Sequence, residues 1–353
     1  MSPHICHINL AKGFRGGERQ TLLLIRSLSE KVTQTVVVRK GAELGHALQG
    51  IPNVRVMTIG KPFLANLPRL TSFSLIHAHE AHGAHLAFVA KTLFRIPYII
   101  TRRVMKTPKN SFFFKKVYTG ASRVVAISSQ VEHLLRQIDD RMDLTIIPDS
   151  FARLKVDPQT VETLKEKYRG KFLIGHVGAL VHKDKGQLHI IDAAKTLSTT
   201  HPGIHFLFVG DGKDRAVFEK AAQGYENIEF TGFKENVGDY FSIFDLFLFP
   251  SLYEGLGSSI LDAFDFELPV IATRVGGIPD VIENGRNGIL IQPGDDTQIR
   301  DRVIELFENK ALCNTLGKNA KQSLERFDIT HTTDQYYQVY KASIPRNRTR
   351  CAP

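Results

Sequence analysis

The 353-residue sequence has little of several things that mark whole classes of protein. It holds three cysteines, Cys6, Cys313 and Cys351, an odd number without metal-like spacing, which argues against a disulfide scaffold or zinc module and points to a reducing compartment. It has no long hydrophobic run. Its best candidate, Leu86 to Ile100, is broken by Lys91, Arg95 and Pro97, so no membrane-spanning helix is expected. The opening residues, MSPHICHINL, show no basic leader followed by an apolar stretch, and no export signal is read there. No fixed-period repeat and no low-complexity tract is visible.

What is present is the balance of a soluble globular chain, 42% hydrophobic and 23% charged, and long enough for two domains. The net charge of +10 is uneven. Residues 1–150 carry 21 Lys and Arg against 9 Asp and Glu, whereas the remainder is close to neutral. A basic first half implies an anionic partner there: nucleic acid, an anionic membrane or a phosphorylated substrate.

Short apolar runs alternate with helical patterns through most of the chain. Strands are predicted at residues 4–10, 33–40, 54–59, 74–79, 98–102, 123–128 and 144–148, and again at 172–178, 205–210, 228–231, 244–250 and 269–273. Helices fit between them, notably over 17–30, 82–94, 111–121, 186–199 and 258–266, and residues 295–343 read as consecutive helices. Alternation of this kind gives parallel sheets covered on both faces, and two series give two doubly wound α/β domains. The link falls between Ser150 and Gly170, and the basic tail 346–353 is expected to be disordered. In open α/β sheets ligands bind at the carboxyl ends of strands, so one cleft between the domains is expected to gather the loop motifs.

The most informative motif spans residues 250–266. An apolar strand enters a glycine turn, and a helix follows with Ile260, Leu261 and Phe264 on one face. The turn offers unpaired N–H groups at a helix N-terminus, where an anion binds well. Glu254 and Asp262 flank it. A diphosphate carrying hydroxyl groups on both sides fits such an arrangement. Residues 178–186 form a second strand-to-helix loop, in which Lys183 and Lys185 lie beside a helix start and would neutralise a diphosphate. Gly13, Gly16 and Gly17 make a third such turn, either a phosphate approach or an ordinary βα turn. Their spacing is not that of a dinucleotide fingerprint. Arg102 and Arg103 end a strand, where a guanidinium can clamp phosphate; the alternative is a surface ion pair. His77, His79, His82 and His85 cluster with Glu80, but they straddle strand, loop and helix, which favours hydrogen bonding over a metal site. Residues 106–116 mix bases with Phe112, Phe113 and Phe114, which suits a membrane interface or a half-buried helix with solvated lysines.

Together these residues resemble the retaining GT-B glycosyltransferases of family four. The likeness covers nearly the whole chain and is strongest from Phe172 to Gly294; VGDGKDR, TRVGGIPDVI, EGLGSSILDAF and HVGALVHKDKG carry it. It implies two Rossmann-like domains: 1–152 for the acceptor, with a helix at 328–345 returning to it, and 170–327 for the nucleotide-sugar. It also implies transfer of a sugar from a nucleotide-diphosphate sugar to an acceptor hydroxyl, with anomeric configuration kept, in lipopolysaccharide or other surface-glycan assembly. Glu254 matches the acid that contacts the transferred sugar, Asp262 the acid that binds the ribose, and Lys185 the lysine that holds the diphosphate. The catalytic set implied is Glu254, Lys185 and Arg103. Donor contacts are expected from Gly16, Gly17, Gly178, His182, Lys183, Gly210, Gly232, Phe233, Gly255, Leu256, Gly257, Ser258 and Asp262, and acceptor contacts from His79, Arg102 and Lys106. Neither cofactor nor metal is expected, since fixed cations can hold the diphosphate.

The sequence departs from the family's pattern at three positions. The second acid is Asp262, not Glu; Ala179 stands where an arginine usually accompanies the lysine; and Arg103 takes the place of a histidine. The implied acceptor is a lipid-linked or phosphorylated glycan, and the implied location is cytoplasmic, peripheral on an anionic membrane through Lys106–Lys116. Nucleic acid is not expected as a partner. A nucleotide-sugar epimerase and a non-catalytic nucleotide-sugar-binding protein are the rival readings.

Overall fold

The computed structural model describes residues 3–106 and 112–345. The chain divides into two compact units, one formed by residues up to Ser150 and from Phe327 onward, the other by Phe151–Arg326.

The first unit is built on seven parallel strands: β1 (His4–Asn9), β2 (Thr33–Arg39), β3 (Val54–Ile59), β4 (Leu75–Ala78), β5 (Tyr98–Arg102), β6 (Arg123–Ala126) and β7 (Leu144–Ile146). Their order is β3-β2-β1-β4-β5-β6-β7. Helices α1 (Gly16–Leu28), α2 (Glu43–Ala47), α3 (Ala81–Phe94), α4 (Phe112–Thr119) and α5 (Ser129–Arg136) connect them. Inner strands such as β2 are buried on both sides because helices cover both faces of the sheet. Glu80 caps α3, accepting from the N–H groups of His82 at 2.6 Å and Gly83 at 2.5 Å. Glu80 is thereby engaged as a helix cap within the predicted histidine cluster.

The second unit carries α6 (Pro158–Lys167) and six parallel strands in the order β10-β9-β8-β11-β12-β13. The strands are β8 (Phe172–Val177), β9 (Ile204–Val209), β10 (Ile228–Gly232), β11 (Leu246–Phe249), β12 (Val270–Thr273) and β13 (Ile289–Ile291). Its helices are α7 (His182–Lys185), α8 (Gln187–Thr200), α9 (Arg215–Ala221), α10 (Gly238–Phe241), α11 (Ser258–Asp265), α12 (Ile278–Val281), α13 (Asp296–Glu308) and α14 (Lys310–Gln322). Phe206, Phe208, Phe218 and Ile190 fill the core beneath α8 and α13. The last helix, α15 (Ile329–Ser343), lies in the first unit, where Tyr336 and Tyr340 join Ile5, Leu24, Leu28 and Ile99 in one core. Among the described residues no helix is long and apolar enough to cross a membrane.

Three differences from the sequence reading have physical causes. The segment read as a link carries α6, which buries only Val161 and so offers no apolar stripe to read. β13 is three residues long and was not anticipated. The helix predicted from Gly186 begins instead at His182 and is interrupted at Gly186, whose φ of +66° ends one turn and starts the next helix.

Each sheet reverses its strand order once, between β1 and β4 in the first unit and between β8 and β11 in the second. A doubly wound sheet opens a ligand crevice at such a reversal.

Candidate active site

In the second unit the reversal brings the loops after β8 and β11 together. Lys185 Nζ donates to Glu254 Oε2, and the two side chains are 24% and 17% exposed. The ammonium also lies 5.1 Å from the centroid of the Phe249 ring. Backbone bonds fix both loops. The N–H groups of Leu252 and Tyr253 donate to Asp184 O at 2.9 and 3.1 Å, and the N–H of Gly255 donates to Glu254 Oε1 at 3.1 Å. The loop after β12 presses on the same turn: at Gly276, with φ of +54°, a Cβ atom would lie 1.8 Å from Glu254 O. Lys185 ends the one-turn α7 and directly precedes Gly186, the cap of α8, so its charge still lies beside the N-terminus of a long helix.

The remaining expected donor residues surround this pair in several ways. Gly178 and Gly210 line the loops after β8 and β9, with Gly210 N–H donating to Gly232 O at 2.9 Å. His182 N–H donates to Asp214 Oδ2 at 2.9 Å, Lys183 is exposed, and Phe233 is 72% exposed beyond β10. Leu256 is buried, and Gly257 and Ser258 open α11. Asp262 is only 5% exposed, and its Oδ1 accepts from Ala152 N–H at 2.9 Å. A ribose contact therefore requires a carboxylate that already holds the segment following β7.

In the first unit the loops after β1, β4 and β5 meet. Gly16 and Gly17 open α1, where Glu18 Oε2 accepts from Arg15 N–H at 2.9 Å. Arg103 is close by; its Cδ would lie 3.8 Å from a Cβ placed on Gly17. Arg103 Nε donates to Asp149 Oδ1 at 3.0 Å, with both side chains about nine-tenths buried. Burial opposes the guanidinium charge, but Asp149 more than offsets this and holds its pKa above the usual value.

Two expected acceptor residues are engaged within the protein. Arg102 donates from Nε to Val104 O at 3.0 Å, from NH1 to Tyr118 OH at 3.3 Å and from NH2 to Lys106 O, so its guanidinium folds its own loop. His79 is 6% exposed, with one ring nitrogen 3.0 Å from His7 and the other 3.4 Å from Arg103, so it faces protein on both edges. Lys106 is exposed.

His7, His77 and His79 form a buried group in which one ring nitrogen from each lies within 4.8 Å of the others. Three imidazoles so close raise the question of a metal ion. Yet His77 bonds Tyr340 OH at 2.8 Å and Thr101 Oγ1 at 2.7 Å, His7 bonds His79, and a guanidinium stands beside His79. A cation would have to break these bonds and approach a fixed positive charge. The geometry is that of a hydrogen-bonded cluster. Burial drives all three imidazoles toward the neutral form, His7 down to about 3. The sequence reading missed His7, Asp149, Tyr336 and Tyr340. A signal existed for His7, which pairs directly with His77 once β1 and β4 are taken as neighbours.

Residues 161–323 match the sequence model of the family described as glycosyl transferases group 1. This span contains Lys185, Glu254 and Asp262. An uncharacterized glycosyltransferase of Methanocaldococcus jannaschii is 27% identical over 82% of this chain and 80% of its own length. The capsular polysaccharide biosynthesis glycosyltransferase CapM of Staphylococcus aureus is 24% identical over 69% of this chain and 68% of its own. HepE of Anabaena, solved in complex with UDP and glucose, superposes with a TM-score of 0.85 at 21% identity, covering 96% of this chain and all of that one. The matches support a GT-B glycosyltransferase. The two parallel sheets of this chain are thus the two Rossmann-like domains of the GT-B fold.

Proposed function

We propose that the protein is a retaining glycosyltransferase that moves a sugar from a nucleoside-diphosphate sugar to an acceptor hydroxyl in surface-glycan assembly. The observation that carries this reading is the Lys185–Glu254 pair, half-buried between the glycine-bounded ends of β8 and β11. An ammonium and a carboxylate that satisfy each other at this position are the two groups needed to receive a diphosphate and sugar hydroxyls. Lys185 takes charge that develops on the leaving diphosphate, helped by N–H groups at the start of α11. Glu254 orients the sugar by accepting from its hydroxyls. The bond from the anomeric carbon to the phosphate oxygen breaks, a bond from that carbon to the acceptor oxygen forms on the same face, and the acceptor proton passes to the departing phosphate. No protein nucleophile is needed. Phe233 offers an exposed ring for the nucleobase, and Arg103 offers a cation to a substrate phosphate in the first unit.

The Anabaena protein binds UDP, which supports a uridine nucleotide as the first to test, and CapM gives the precedent for a surface polysaccharide. Attachment to an anionic membrane is supported by Phe112 and Phe113, 73% and 47% exposed, with Lys116 Nζ 4.4 Å from the Phe112 ring centroid. Phe114 turns inward onto Tyr118, and Lys109 lies outside the described residues. The deciding experiment is a panel of UDP-, GDP- and ADP-sugars scored by thermal stabilisation and nucleotide release, with and without acceptor mixtures. One nucleotide-sugar should raise the melting temperature and release its diphosphate. Stabilisation by none would refute the reading, and interconversion of the sugar without acceptor would favour an epimerase.

A further inference from the structure

We propose that His79 is a positioning residue for Arg103, the terminal member of a buried chain, His7–His79, that fixes the direction in which the guanidinium points. The proposal rests on the reading of Arg103 as a phosphate-binding cation.

The hydrogen positions follow from what each neighbour can offer. Arg103 has only donors, so the His79 Nδ1 it faces at 3.4 Å must be the acceptor. The proton of neutral His79 then resides on Nε2 and is donated to His7 Nδ1 at 3.0 Å. The proton of His7 must in turn sit on its own Nε2. Gln34 Nε2 donates to Ile25 O at 3.0 Å. His7 Nε2 and Gln34 Oε1 are both buried and neither has a hydrogen-bond partner, although Gln34 opposes the effect of burial on His7. One set of protons therefore serves both the Arg103–His79 and the His79–His7 links, and reversing either would set two donors or two acceptors face to face.

The chain is clamped on its flanks. His77 lies in contact with the His79 ring, at 3.9 Å between centroids, and is held by Tyr340 and Thr101, while Thr101 also bonds Tyr336 OH at 2.9 Å. Asp149 fixes Nε of Arg103 and His79 fixes NH1, so two sides of the planar fork are defined. Asp149 alone would leave rotation about one hydrogen bond. His79 removes that freedom, which is the form of help a preorganised cation needs.

The first test uses the unmodified protein. Long-range ¹H–¹⁵N spectra of labelled histidine should show His7 and His79 neutral at neutral pH, both protonated on Nε2 and bare on Nδ1. A proton on Nδ1 of His79 would overturn the proposal. The second test is a double-mutant cycle on diphosphate release from the nucleotide-sugar found in the panel. Arg103→Leu should lower kcat about a hundredfold and His79→Leu about tenfold, with the double variant no worse than Arg103→Leu. His79→Asn, which places an oxygen where Nδ1 was, should recover most of the loss. Independent, multiplicative losses, or full activity in His79→Leu beside an impaired Arg103→Leu, would reject the positioning role alone. Full activity in Arg103→Leu would sink the phosphate reading as well.

Discussion

The two units share a scaffold and differ in how they keep charge at its strand reversal. In the second, Lys185 and Glu254 meet at a partly exposed position, held by backbone bonds around them. In the first, Arg103 and Asp149 meet out of water, backed by neutral imidazoles and tyrosine hydroxyls. A partly exposed pair keeps some contact with water and can be exchanged for ligand at lower cost than a fully buried one. A buried pair is expensive to separate and acts as a fixture. The same topology thus supplies one site whose charges are free to change partners and one whose charge is held in place.

The contrast can be broken most sharply in the second unit. Glu254→Gln and Lys185→Met should each reduce turnover by two or more orders of magnitude with an unchanged melting temperature. Loss of stability equal to the loss of activity would mean that the pair is structural, like its counterpart. A smaller effect is expected from the loop that presses on Glu254. Gly276→Ala places a side chain on a left-handed backbone and against Glu254 O, so turnover should fall at least about tenfold, with about 1–2 kcal/mol of stability lost. Wild-type kinetics there would show that the turn tolerates displacement.

Acid should separate the units. A histidine whose folded pKa is depressed contributes stability above its unfolded value, and that contribution is lost as pH falls. His7, His77 and His79 in the first unit and His176 in the second are all held down by burial, His7 to about 3 and His176 to about 4. Below an ordinary value of 6.5, stability should decline by about 2 kcal/mol each for His7 and His176 on reaching about pH 5, with His77 and His79 acting in the same direction. With three such groups against one, hydrogen exchange should show the first unit opening earlier; simultaneous loss, or none, would contradict the neutral cluster. The smallest effect on catalysis is expected at the surface. Phe112→Ser with Phe113→Ser should leave turnover of a soluble substrate unchanged while weakening sedimentation with anionic vesicles about tenfold or more. Unaltered sedimentation would remove the membrane surface from the reading.

The sequence made the parallel sheets legible, because strands buried on two faces, such as β11 with Leu246, Phe247, Leu248 and Phe249, are continuous apolar runs. It made Lys185 and Glu254 visible too, because both lie in loops that leave an apolar strand and enter a helix. What it hid depends on packing. Nothing local distinguishes Arg102, which folds its own loop, from Arg103, which meets Asp149 across 46 positions. His79 looked available because its neighbours in sequence are polar; only the adjacency of β1 and β4 puts His7 against it. Asp262 read as a ribose ligand, and its bond to Ala152, 110 positions away, has no local signature.

The placement of α15 has a consequence for the order of events on the ribosome. Tyr336 and Tyr340 belong to the core of the first unit but are made only after residues 151–326, the second unit, have been synthesised. The unit begun first is therefore the one completed last. Until those two tyrosines arrive, His77 and Thr101 each lack one hydroxyl partner, so the core of the first unit closes only at the end of synthesis.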